Sequence, residues 1–264
     1  MTTAMLTSLA VVLAVTVLLW AISLRLRDVS IVDIFWGLGY VVVAWTTHIV
    51  AGNDSARAWL MCLLVTLWGV RLTIHLARRN LGHGEDYRYR AMREKYGGGF
   101  PLVSLWMVFL FQGALIWIIA LPVQMAHAPG AAAPLGALDL LGVLAFLIGF
   151  GFEWVSDLQL ARFKRSPSSA GRVMDRGLWR YTRHPNYFGN FLLWWGLGLM
   201  GLAAGAWWAL LGPAVLTFML LRVSGVSLLE STIAERRPGY REYVERTSAF
   251  VPWFPRETKA GRLG

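Results

Sequence analysis

Seven apolar stretches, each near the length needed to cross a bilayer, constrain this chain more than any other feature. They run over residues 5–24, 31–50, 58–76, 102–125, 135–158, 187–202 and 206–223. A helix of about 20 mostly apolar residues spans the hydrocarbon of a membrane. The expected fold class is therefore all-α: a polytopic membrane protein with seven transmembrane helices. The last two stretches are short and adjacent, and reading them as one broken helix would give six. Composition agrees, since 56% of the 264 residues are hydrophobic and 15% are charged. A soluble domain carries about 25% charged residues. An ordinary water-soluble globule, a disordered chain and a collagen-like fibre are all excluded.

Lys and Arg number 25 against 15 Asp and Glu, a surplus of +10. Such a surplus can mark nucleic-acid binding, but its distribution here argues against that. Basic residues gather at Arg25 and Arg27, over 78–95, over 162–183, and after Arg222, whereas 51–57 and 122–137 are close to neutral. Positive charge collects in cytoplasmic loops. This alternation puts the N-terminus outside and the C-terminus in the cytoplasm, which an even number of helices would not allow. No nucleic-acid partner is expected. The first stretch has no basic region before it and no clear cleavage site, so it reads as a retained helix rather than a signal peptide. The 14 Trp residues include Trp20, Trp59, Trp179 and Trp253 near expected interfaces, as in an aromatic belt. Residues 1–255 read as one domain with cytoplasmic loops and an amphipathic C-terminal segment, and 256–264 as a flexible tail.

The single cysteine, Cys62, rules out a disulfide framework. The histidines (His48, His75, His83, His127 and His184) are scattered, with none at ligand spacing, so no metal site is expected. No P-loop is present, and no GxGxxG follows a strand. A nucleotide would have to bind without a Rossmann domain.

Several polar groups are not explained by lipid. Asp33 lies just inside the second stretch, where a central carboxylate costs about 2.5–3.5 kcal/mol on insertion scales. It is either a helix-start residue near the headgroups or a proton donor or orienting carboxylate beside a substrate. Arg71 and His75 are i, i+4 on the third helix and share a face. Arg71 can pair with an acid such as Asp33 or hold a cofactor phosphate. The segment 80–90 is rich in Gly, Arg and Tyr, including Tyr87, Arg88 and Tyr89. Glu153 and Asp157, also i, i+4, are followed by Arg162, Lys164 and Arg165. They form either a salt-bridge network or a set of ribose and phosphate ligands. The densest segment is Gly177-Leu178-Trp179-Arg180-Tyr181-Thr182-Arg183-His184-Pro185-Asn186-Tyr187-Phe188-Gly189-Asn190. Pro185 suits a first helical turn, whose free N–H groups favour an anion. Arg222 and Glu230 flank the exit of the last stretch, and Tyr240 and Tyr243 follow in an interleaved polar and apolar tail. A short helix over 228–233, a turn and a second short helix would fit that tail.

In these residues the chain resembles bacterial membrane proteins that share the steroid 5-alpha-reductase C-terminal domain. The likeness covers about residues 31–255. It rests chiefly on 180–189, with support from 84–89 and from the tail. The resemblance implies a seven-helix bundle in the bacterial inner (cytoplasmic) membrane, open to lipid, with NADPH entering from the cytoplasm. Asp33 matches the family's carbonyl-holding glutamate. The family's catalytic tyrosine falls near Trp68, which is not a useful proton donor, so Tyr87 or Tyr89 is the substitute. Trp36 and Trp68 are implied to meet substrate. Arg71, Arg79, Arg88, Glu153, Asp157, Lys164, Tyr181, Arg183, His184, Asn186, Arg222, Glu230 and Tyr240 are implied to hold the cofactor. The implied activity is NADPH-dependent reduction of the C=C bond of a 3-oxo-Δ4 steroid or similar hydrophobic enone, with hydride delivered to the β carbon and an acid at the ketone. The same broad superfamily includes methyltransferases, so S-adenosylmethionine-dependent methylation of a lipid or isoprenylcysteine-like substrate is the alternative. A non-catalytic transporter or lipid-binding protein is a third reading, but midplane ion sites and paired broken helices are not evident.

Overall fold

The computed structural model describes residues 1–169, 171–223 and 239–256, and among them there is no β-strand. The chain is a multi-pass membrane protein by the length and composition of its helices. Five are long and apolar enough to cross a bilayer: α1 (Thr2–Leu26), α2 (Ile31–Ala51), α3 (Ala56–Asn80), the continuous run Tyr87–Ile119, and α8 (Ala137–Arg165). The run Tyr87–Ile119 is assembled from α4 (Tyr87–Tyr96), a 3-10 turn, α5 (Phe100–Ser104), a π-helical turn at Leu105–Leu110, and α6 (Phe111–Ile119). The sixth and seventh apolar stretches form α9 (Pro185–Ala203) and a shorter apolar run, Trp207–Val223, that contains α10 (Leu211–Phe218). In the tail, α11 (Tyr240–Arg246) is the second of the two short helices expected there; the first, at 228–233, lies outside the described residues. Only 17% of the apolar window of α1 is buried, and Leu6, Leu18, Leu63, Leu67, Trp106 and Leu140 are exposed. Apolar faces that the protein leaves open match a lipid solvent.

Two boundaries differ from the hydropathy reading, for local reasons. The basic segment 78–95 is not one loop: α3 runs on to Asn80 and α4 starts at Tyr87, leaving 81–86 as the connection. Lys, Arg and Tyr there do not break a helix, and Asp86 caps α4 by accepting the Arg88 N–H. The fourth stretch does not run unbroken to 125. The helix ends at Ala120, whose ψ is 3°, and α7 (Leu121–Met125) restarts with Pro122 in its first turn.

The contacts divide the chain into two compact units, one of residues 1–139 and 199–212, the other of 140–198 and 213–264. In the first unit α2 packs on both α1 and α3. The approach to α3 is set by Gly37 and Gly69: a Cβ on Gly37 would lie 2.3 Å from the Gly69 carbonyl oxygen. Small residues at such crossings let helix backbones meet closely. In the second unit Gly149 and Gly189 play the same part between α8 and α9, with 2.5 Å between a Cβ on either and the other's carbonyl oxygen.

The connection between α7 and α8 is held by one buried ion pair. Arg57 and Asp139 are each 2% exposed, and Nε and Nη2 of Arg57 both lie 2.8 Å from the carboxylate. The same guanidinium donates to the carbonyls of Ala131 and Pro134, so Arg57 meets four oxygens. Trp179 is not an interfacial belt residue. It is buried, with its indole N–H on the Ser156 carbonyl. We expect Asp139→Ala to cost about 3–5 kcal/mol, because it strands a buried guanidinium. A fall in the thermal midpoint of the detergent-solubilised protein measures this, while an equal change at exposed Glu94 should leave the midpoint in place.

Candidate functional site

In the first unit the turn between α1 and α2 is the anchor of a polar cluster. Ser30 precedes α2 but makes no side-chain cap. Its Oγ instead accepts the Asp86 N–H at 2.7 Å. Glu85 accepts the Val29 N–H at 3.0 Å and two bonds from Arg93, at 2.7 and 3.0 Å. Gly84 has φ +75°, which a glycine adopts freely, and it lets the chain turn into this contact. The latch fixes the start of α4 beside the start of α2.

That placement brings Tyr89 to Asp33. The Tyr89 hydroxyl donates to Asp33 Oδ1 at 2.7 Å, and Arg88 Nη2 donates to Oδ2 at 3.0 Å. Gln112, from α6, approaches the Tyr89 oxygen at 3.3 Å and Asp33 Oδ1 at 3.5 Å. Tyr89 is buried, and Asp33 is 17% exposed at its side chain. Of the two tyrosines offered as substitutes, Tyr89 reaches the carboxylate, whereas Tyr87 is 58% exposed. Tyr87 lines a polar cleft of about 240 Å³ with Ser30, Arg79, His83, Asp86 and Arg90. Arg79 is thus on the cleft, while Arg88 is committed to Asp33 and Asp86. Arg71 and His75 are half-buried on one face of α3. Trp68 is completely buried with its ring 5.3 Å from that of Tyr40, which meets Trp36 at 5.5 Å. Trp68 thus packs between α2 and α3.

In the second unit the two carboxylates on α8 are buried against asparagines on α9. Asn190 donates to Glu153 at 3.2 Å and Asn186 to Asp157 at 3.4 Å. The spacing of 153 and 157 on one helix matches that of 186 and 190 on the other, so the pairs stack one turn apart. Pro185 opens α9, as expected. The segment before it is braced by the tail: Thr182 Oγ1 donates to the Phe250 carbonyl, Arg183 N–H to the Ser248 carbonyl, and the Tyr243 hydroxyl to the Trp179 carbonyl. The Arg183 guanidinium donates to the carbonyls of Val244 and Thr247, capping α11. Arg246 pairs with Asp175. His184 is buried and stacks on Tyr187, Tyr240 is buried beside Tyr243, and Tyr181 stands edge-on to Phe254. Lys164 and Arg222 are exposed. Glu230 lies outside the described residues.

Sequence reasoning missed Gln112 and gave Asn190, the last residue of the densest segment, no role of its own. The available signal was a single amide inside an otherwise apolar stretch. It also missed a buried group of His48, Cys62 and His127, whose donor atoms lie within 4.8 Å of one another. These histidines are 79 residues apart in sequence, so no local spacing could announce them.

The latch responds to acid. Burial pushes the Glu85 carboxyl up, but the Arg93 and Val29 bonds outweigh it and hold it below the usual range. Asp86 is likewise raised by burial and lowered further by Arg88. Both folded values lie below the ordinary ones, so their stabilisation is complete above the ordinary carboxylate range of about 4 and is lost as pH falls through the folded values. Hydrogen exchange, corrected for its intrinsic pH dependence, should show amides 86–90 losing protection below about pH 4. Glu85→Gln should show that loss at neutral pH.

Residues 19–247 match the family model described as "Protein of unknown function (DUF1295)". The chain is also similar to an uncharacterised protein of Schizosaccharomyces pombe, C594.04c, at 28% identity over 275 aligned residues, covering 89% of this chain and 75% of the yeast protein. No solved structure matches.

Proposed function

We propose that this chain, which belongs to the DUF1295 family, is a membrane reductase that uses NADPH to saturate the C=C bond of a 3-oxo-Δ4 steroid or similar lipid enone. The observation that carries this reading is the Tyr89–Asp33 hydrogen bond, flanked by Gln112 and Arg88, at the start of an apolar helix. Reducing an enone requires charge stabilisation at the ketone oxygen while the β carbon gains hydride. The cofactor supplies that hydride when bound. Tyr89 suits the acid: its hydroxyl carries a proton and lies beside a carboxylate that fixes its direction. Asp33 suits the orienting role better than the donor role, because two donors, Tyr89 and Arg88, already converge on it. The Gln112 amide offers a second N–H to an enolate oxygen bound at Tyr89. The α carbon then takes a proton from solvent while the oxygen returns its proton to Tyr89, which completes the saturated ketone.

Taken by itself, the second unit carries polar groups of the kind that a dinucleotide binds. Asp157 and Glu153 can accept from ribose hydroxyls, and the amides of Asn186 and Asn190 can both donate and accept. In the first unit, the cleft of Arg79, His83 and Arg90 suits a phosphate group. We further read seven spans in a bacterial inner membrane, with the N-terminus outside and the C-terminus cytoplasmic. The support is the alternation of basic and neutral connections.

The purified protein should consume NADPH with some member of a panel of 3-oxo-Δ4 steroids and other lipid enones. Tyr89→Phe should lower kcat about 10²–10⁴-fold with little change in KM, the usual range for loss of a general acid. Undiminished turnover in that variant, or none in the native protein across the panel, overturns the reading. Saturable binding of S-adenosylmethionine in place of NADPH would move the assignment to methyl transfer.

A further inference from the structure

At the end of α2 remote from Asp33, three metal-ligating side chains meet. His48 comes from the last turn of α2, Cys62 from the first half of α3, and His127 from the turn after α7. All three belong to the first unit, and they are 7%, 0% and 3% exposed. His48 Nδ1 lies 3.3 Å from His127 Nε2, and Cys62 Sγ lies 3.7 Å from the same Nε2. Tetrahedral zinc, with Zn–N near 2.05 Å and Zn–S near 2.3 Å, separates its ligands by about 3.3 Å for N···N and about 3.5 Å for N···S. These two edges fit such a site, and all three donor atoms lie within 4.8 Å of one another.

A backbone carbonyl sets the His127 imidazole in the tautomer that a metal needs. His127 Nδ1 is 2.9 Å from the Val123 carbonyl. A carbonyl only accepts, so Nδ1 carries the proton, and the Nε2 lone pair of the neutral ring points at the cluster. The turn that carries His127 is fixed by Asn53, which donates to the carbonyls of His127 and Ala128. The other nitrogen of His48, Nε2, faces an Asp54 carboxylate oxygen at 3.7 Å. Without a metal, a neutral His48 has one proton for two demands. If Nδ1–H donates to His127, the Nε2 lone pair faces an anion. If Nε2–H faces Asp54, two lone pairs oppose each other at Nδ1 and Nε2. A cation at the centre removes this conflict: both lone pairs bind it, and Nε2–H turns to Asp54. Ligating histidines commonly direct their second N–H to a carboxylate or a carbonyl in this way. The rings of Trp45 and Trp59 flank His48 at 5.6 and 4.5 Å, an apolar wall around the donors.

We propose that His48, Cys62 and His127 bind a zinc ion that ties the turn after α7 to the α2–α3 pair. Thiolate and imidazole together suit a borderline-soft d¹⁰ ion, and the 3.3 and 3.7 Å edges are near its tetrahedral ligand spacing. On binding, the Cys62 S–H bond is exchanged for S–Zn, and the proton leaves to solvent. Three protein donors leave the fourth corner to a non-protein ligand.

The test uses the full chain in detergent, purified without a polyhistidine tag and equilibrated with micromolar zinc chloride, then with chelator-treated buffer. Mass spectrometry of the metals should find one zinc ion per chain. Cys62→Ser and His127→Gln should each retain at least tenfold less, and Asp54→Asn should weaken retention about tenfold through the loss of the carboxylate behind His48. Cobalt(II) loaded into the native protein should give a thiolate charge-transfer band and tetrahedral d–d bands. That readout stands even where a variant fails to fold. Native protein that takes up neither zinc nor cobalt, variants that keep native stoichiometry, or cobalt bound without a thiolate band would each overturn the proposal. Copper in place of zinc at the same stoichiometry would overturn the choice of ion.

Discussion

A hydrocarbon solvent offers no hydrogen bonds, so every polar side chain inside these helices must be supplied with a partner by the protein. That constraint accounts for most of what is specific in the structure. Arg57 meets four oxygens, two of them on Asp139. Asp33 collects Tyr89, Arg88 and, at longer range, Gln112. Glu153 and Asp157 each take an asparagine amide. Because apolar packing in lipid gains little from the hydrophobic effect, these polar contacts and the glycine crossings at Gly37–Gly69 and Gly149–Gly189 define how helices within each unit meet.

The latch on the α1–α2 turn shows how a surface contact governs an interior one. Glu85 and Asp86 bind the backbone of Val29 and the hydroxyl of Ser30, and α4 starts from that fixed point. Tyr89, one turn further on, then has a single direction, toward Asp33. A functional group is thus aimed by residues that need not touch a substrate. The precision of the 2.7 Å bond between Tyr89 and Asp33 is inherited from two carboxylates in the connection before α4.

The densest motif in the sequence divides its labour differently from its appearance. Trp179, Thr182 and Arg183 turn to the tail or to α8 and serve as braces, while Asn186 faces Asp157. Arginine in a motif suggests phosphate, but a guanidinium is equally suited to gathering the carbonyls at a helix end. Arg183 does the latter for α11.

The sequence alone settled what depends on neighbours within a few turns. Hydropathy over 20 residues located the five described helices long enough to cross a bilayer, Pro185 marked the start of α9, and the i, i+4 spacing put Glu153 and Asp157 on one face. These follow from helix periodicity, which is a local property. Tertiary structure alone decided which distant groups meet. Tyr89 rather than Tyr87 reaches Asp33, 56 residues away, because the 81–86 connection folds onto the α1–α2 turn. His48 and His127, scattered in the sequence, come within 3.3 Å because the chain breaks at Ala120 and carries the next turn over the α2–α3 pair. The path of the chain across such separations is fixed by packing and by paired polar groups, and no short window of residues contains it.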